Sequence, residues 1–437
     1  NVIRTSGSDT PVALAANGTI TLEGAIESSG TTNVVASNAI TVNDITAGGG
    51  IYIDNVIIPG LDGFSTTGSV MVTGNLSAQA GTNAVFVMSV DDFIMEDNTE
   101  ISTTGGNITI TAGQLLTVGD AYLSRLDAMG GNITITVSGA ISDINDADLN
   151  AIAGTLTMTA VNGIGTNNAL ETSIDTLVAH NNGTGDIGIV ETDDIILSDV
   201  DTNIGDINVL AYGSITATDV QVDSGIGDID LIAFVGDLTA TNVQTVNGNI
   251  DLVAIGGVTA TNVIAGGAGD IFIEAVTGSV TADIVTALED VVNIVSSNRI
   301  SMAGLTSMIT SADAILQAAN GIDVYTTVTN ITAQNTGSGD VSIRETDTLV
   351  VADLMGTGTG VLAAGAGDIT INVLAGTLDI NPAVSAGGSV DIDAASTISV
   401  NGSLDGTTVI ANAGILDINS ATDDINITDS ELIGGQV

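Results

Sequence analysis

The chain of 437 residues sets 52 Asp and Glu against four Arg (Arg4, Arg125, Arg299, Arg344), no Lys and one histidine, His180, for a formal net charge of -48. So acidic a chain excludes nucleic acid and anionic membranes as partners, because both are held by Lys and Arg, and leaves cations and other chains. Cysteine is absent, which removes disulfides and thiolate metal sites, and no window approaches the 18 uninterrupted apolar residues of a membrane helix.

Apolar residues make up 44% of the chain, yet only 2% are aromatic; Ile, Val, Leu and Ala carry the rest. With 54 Gly and 3 Pro, this composition suits thin strand layers with many turns and few ladder breakers. The elements follow in chain order. "NGTITLEG" from Asn17, "TNVVASNAITVNDI" from Thr32, "GSVMVTGNLS" from Gly68, "GGNITITAG" from Gly105 and "GGNITITVSGAISDI" from Gly130 are short alternating runs broken by Gly. Two of the early segments, 51–64 and 85–97, hold most of the Phe, and Tyr52 and Phe64 are the residues expected to touch a ligand if a coil is specialised for one.

The phrasing tightens from Asn162. "GDINVLAYGSITATDV" from Gly205, "GDIDLIAFVGDLTATNV" from Gly227 and "GNIDLVAIGGVTATNV" from Gly248 are near copies. Asp186, Asp206, Asp228, Asn249, Asp270 and Asp290 fall at equivalent positions 20, 22, 21, 21 and 20 residues apart. Apolar residues alternate within each copy, which predicts strands, and Gly between runs predicts turns. Stacking the copies aligns Ile207, Ile229, Ile250 and Ile271; then Val209, Leu231, Leu252 and Ile273; then Ala211, Ala233, Ala254 and Ala275. Such columns predict an all-β chain wound as one elongated parallel β-solenoid over 1–437, about 20–22 residues per coil, with about 21 coils and the most regular ones at 183–300. At roughly 4.8 Å per coil the body is expected to be a rod on the order of 100 Å long. Later copies include "GDITINVLAGTLDI" from Gly367, "GGSVDIDAASTISV" from Gly387 and "TDDINITDS" from Thr422.

A longer repeat is superposed. "NNGTGDIGIVETDDIILSD" from Asn181 returns as "NTGSGDVSIRETDTLVVAD" from Asn335, so segments 162–200 and 320–354 read as a duplicated block.

These phrases resemble the coils of filamentous-haemagglutinin-type surface proteins and related giant bacterial adhesins. The likeness covers most of the chain and is one of pattern and composition. It implies a right-handed parallel β-helix shaft, secreted to the exterior or cell surface, working in attachment or matrix structure beside neighbouring copies of itself, other surface components or glycans. The family's secretion domain with Asn-Pro-Asn motifs has no counterpart, the one Asn-Pro being Asn381-Pro382, and no Arg-Gly-Asp occurs.

An acid-base pair at Glu191 to Asp194, returning as Glu345 to Asp347, is read as a solvated corner, and no enzyme activity is expected; a carbohydrate-binding or carbohydrate-processing β-helix is the alternative. His180 aligns with Gln334 and is read as a polar turn residue. The Gly-rich corners place Asp186, Asp206, Asp228, Asp270 and Asp340 in successive coils, where stacked carboxylates suggest weak Ca²⁺ sites, no other cofactor being expected. Two further columns are expected on the strands, Asp219-Asn242-Asn262-Asp283 as a side-chain ladder and Thr216-Thr239-Thr259-Thr281 as a threonine stripe. Eight Asn-x-Ser/Thr sequons, at Asn17, Asn75, Asn107, Asn132, Asn182, Asn330, Asn401 and Asn426, are what an Asn- and Thr-rich composition generates.

Overall fold

The computed structural model describes residues 2–5, 7–55, 68–79, 84–113, 117–401, 407–412, 415–428 and 430–434. Among them there is no helix: the chain is all-β and winds as a parallel β-solenoid of about 18 turns with roughly 22 residues per turn. It forms two compact units, Asn1–Gly213 and Ser214–Val437.

In the second unit the repeated phrase is one coil. Strand Ile229–Ala233 buries Ile229, Leu231 and Ala233 and turns Asp230 and Ile232 outward, as the pleat requires. It pairs in parallel register with Ile250–Ala254, which pairs with Ile271–Ala275, so the Ile, Leu and Ala columns stand as expected from the sequence. In the first unit Ile207, Val209 and Ala211 lie over Ile187, Ile189 and Glu191. A six-stranded parallel sheet there runs through Ile20–Thr21, Ile40–Val42, Val70–Val72, Phe93–Met95, Ala121–Leu123 and Ile141–Asp143. Bridges through Ile164 carry its inner row on to Ile187.

The coils number fewer than the repeat period predicts because some are long. The Asn75 amide reaches the Asp44 carboxylate 31 residues away, the Val90 amide reaches Asn55 across 35, and the Asp368 amide reaches Asp340 across 28. Corners absorb the extra residues while the strand register is kept.

Variable coil length also moves some residues out of the columns assigned to them. Ile271 pairs with Val292, so Val291, not Asp290, follows Asp270. Thr261 stands opposite Asp283, because Ala260 pairs with Ala282 and Asn262 with Ile284; the ladder therefore ends at Asn262. Asp340 precedes a strand that pairs with Ile322–Asn335, whereas the column of Asp228 and Asp270 continues through Val291 and Asp313. Asp340 thus lies in a different column from Asp228 and Asp270.

Candidate functional site

At the Gly-rich corners, each acidic side chain holds the coil above it. Asp186 Oδ1 accepts the Asp206 amide at 3.0 Å in the first unit. In the second, Asp228 accepts Asn249 N–H at 2.7 Å, Asn249 accepts Asp270 N–H at 3.0 Å, and Asp270 accepts Val291 N–H at 3.0 Å. A third run links Asp340 to Asp368 and Asp368 to Ser389, at 2.9 and 2.6 Å. The corner is where the strand ladder is interrupted, and the side-chain oxygen supplies the acceptor that the next backbone N–H needs. The second Gly of the corner is required at Gly185 and Gly339: φ is +114° and +118°, and an added Cβ would stand 2.7 Å from Asn162 O or Asn320 C.

The ETD triplets lie elsewhere than expected. Glu191 ends strand Ile187–Glu191 on its inward side, in register with Ala211, and is fully buried, as is Glu345 at the end of Val341–Glu345. Neither is a solvated corner. Glu191 Oε2 accepts the Thr172 hydroxyl at 2.8 Å and the Ile174 amide at 3.1 Å, while Oε1 accepts the amides of Thr192 at 2.8 Å and Asp193 at 3.3 Å. Glu345 repeats this with Thr326 at 2.9 Å, Val328 at 3.1 Å, Thr346 at 2.7 Å and Asp347 at 3.3 Å.

Burial pushes the Glu191 carboxyl up to about 7 and Glu345 to about 6. The Thr hydroxyl and the amide hydrogen bonds favour the charged form and oppose this, but desolvation wins in both. A raised carboxyl is the usual property of a general acid, yet each of these oxygens is committed to the protein's own donors and closed to solvent. The sequence held the signal: in the alignment of "GDIGIVE" with "GDINVLA", Glu191 falls at the third inward position, where other coils carry Ala.

His180 is not in a turn. It lies within strand Leu170–Thr184 and faces the next coil, with Nδ1 2.5 Å from Asp201 Oδ2 and Nε2 3.9 Å from Asp199 Oδ2. A one-residue register shift causes this contact. Leu177 pairs with Leu197 but Val178 with Asp199, so the strand bulges at Ser198 and His180 meets Asp201 where an even register would give Val200.

The outward columns are as expected in part. Asn242 Nδ2 donates to Asp219 at 2.7 Å and Asn262 Nδ2 to Asn242 at 2.7 Å, an amide ladder crossed by Gln221 and Gln244. Thr216, Thr239, Thr259 and Thr281 are in register on the outer face. Tyr52 is 44% exposed beside Phe86, its register partner; Phe64 lies outside the described residues.

No family model, curated protein or solved structure matches the chain.

Proposed function

We propose that this chain is a non-enzymatic structural element of an extracellular or cell-surface assembly: a shaft of the filamentous-haemagglutinin type, or a subunit of a filament or matrix. One observation carries the reading. Of the side chains best suited to chemistry, the two buried Glu have both carboxylate oxygens engaged by backbone N–H groups, and the corner residues Asp186, Asp228, Asp270 and Asp340 each use Oδ1 to accept a backbone N–H of the next coil. Their work is cohesion between coils, which is what a length-building protein needs. The natural partner is another coil of the same kind.

Electron microscopy of native material with surface labelling of intact cells tests this. Stiff rods or filaments, lengthening by about 5 Å per coil and reached by an impermeant label, are expected. Compact particles confined inside the cell overturn the proposal. A carbohydrate-binding role is the second reading, favoured by exposed Tyr52, and predicts glycan binding that Tyr52→Ala abolishes.

A further inference from the structure

The bulge at Ser198 gathers the one imidazole of the chain with two carboxylates on an outer face of the first unit. One donor atom from each of His180, Asp199 and Asp201 lies within 4.8 Å of the others. Pairing of Leu170–Thr184 with Ile195–Ile204 sets His180 directly opposite Asp201 and diagonal to Asp199, and Thr159 is its register partner on the preceding strand. We propose that His180 and Asp199 bind a late first-row divalent cation of the zinc class, with Asp201 positioning the imidazole.

The chemistry follows from the two ring nitrogens. Asp201 Oδ2, 2.5 Å from Nδ1, accepts a hydrogen bond there and keeps that nitrogen protonated. The lone pair is then on Nε2, which faces Asp199 Oδ2 across 3.9 Å. Zinc bonds to imidazole nitrogen and carboxylate oxygen of about 2.0–2.2 Å place two tetrahedral ligands roughly 3.3 Å apart. A small rotation of the Asp199 side chain, 54% exposed, closes that difference, and solvent fills the remaining positions. A carboxylate behind the non-ligating nitrogen is the usual support for a metal-bound histidine. The imidazole also selects the class, because Ca²⁺ and Mg²⁺ take oxygen ligands while zinc, nickel and copper accept nitrogen.

The second block lacks this arrangement. Gln334 replaces the histidine and donates to Thr357 Oγ1 at 2.6 Å, and the aspartate matching Asp199, Asp353, accepts the amides of Thr357 and Gly358 at 2.8 and 2.7 Å. The same framework is closed on itself there and open to a cation in the first block.

Because His180 is the chain's single histidine, its ring signals report the site without assignment. The full chain is titrated with Zn²⁺ in excess Mg²⁺, which occupies ordinary carboxylates, and followed by imidazole ¹⁵N–¹H spectra and by competition with a chromogenic chelator. A saturable shift at one zinc per chain is expected. Affinity should fall about tenfold or more in His180→Gln, in Asp199→Asn and in Asp201→Asn. In Asp201→Asn the ring ¹⁵N shifts should also lose the Nδ1–H tautomer, which a purely structural role would not change. A cooperative melting transition well above the titration temperature establishes that each variant is folded. Imidazole signals unmoved by saturating zinc, or wild-type zinc affinity in His180→Gln, overturn the site; an unchanged tautomer and affinity in Asp201→Asn overturn the positioning role.

Discussion

The two copies of the duplicated block show what the solenoid holds fixed and what it lets vary. In 162–200 four residues, Gly165 to Asn168, stand between Ile164 and Ala169, with no counterpart after Ile322. Yet Thr172 pairs with Glu191 and Thr326 with Glu345 in the same way, with the same donors. Asn181 and Asn335, both fully buried, likewise repeat their bonds: each accepts a Gly amide, from Gly163 or Gly321, and donates to a Gly carbonyl, Gly185 or Gly339, at 2.6 Å. Outward, the copies diverge. Glu171 and Val190 in the first become Tyr325 and Arg344 in the second, where the guanidinium sits 4.9 Å from the ring centroid. Where the first block bulges by one residue at Ser198, the second opens a loop at 352–358, fixed by Asp353. Inward polar residues with full hydrogen-bond sets are constrained by desolvation, whereas surface positions are free to change.

The largest effect should come from the buried carboxyls. Glu191→Ala and Glu345→Ala each remove the acceptor for a hydroxyl and three amides and leave a void in the inner row. Each should cost about 3 kcal/mol in chemical denaturation. Costs of a few tenths for either variant would break the equivalence of the copies.

Asn181→Ala and Asn335→Ala come next, at about 2 kcal/mol. Asn181 also donates to the buried Thr202 hydroxyl at 3.1 Å, so its variant should be the more damaging of the two. Equal losses would show that this third bond contributes nothing measurable.

Much of this was readable beforehand. Strand type, parallel stacking and the Ile, Leu and Ala columns follow from period-two alternation and a coil-length repeat. The amide ladder from Asp219 to Asn262 was readable for the same reason. Vertical neighbours were not, wherever coil length changes: a repeat of about 21 assigns Asp290 and Asp283 to columns that the paired strands give to Val291 and Ile284. His180 and Asp201 meet through a single-residue bulge that no local pattern marks. Glu191 was readable from its alignment with Ala211, but an acidic residue was expected to seek water. Here the strand parity outranks the side chain's preference, and hydrogen bonds from Thr172 and three amides compensate.

The buried carboxyls also give the copies different pH responses. Each folded-state value is raised above the ordinary 4.5, to about 7 for Glu191 and about 6 for Glu345. Below 4.5 both folded and unfolded chains hold the proton; above it the unfolded chain releases the proton first. The stability associated with each group is therefore full below 4.5 and lost as pH rises, to about 7 for Glu191 and about 6 for Glu345. Referenced to Glu191→Gln and Glu345→Gln, whose side chains do not titrate, the loss should be on the order of 2 kcal/mol for Glu191 and smaller for Glu345. Melting curves across pH 4 to 8 measure it, and a wild type that gains stability relative to its Gln variant as pH rises would contradict the sign.

The smallest effect distinguishes the surface of the first block from its interior. His180→Gln installs the residue that the second block carries, and its loss of the hydrogen bond to Asp201 should cost about 0.5 kcal/mol in chemical denaturation, as for a partly exposed hydrogen bond. A loss as large as that of Asn181→Ala would mean that His180 contributes by packing on the outer sheet, and the two blocks would then differ in their fabric as well as in their surface.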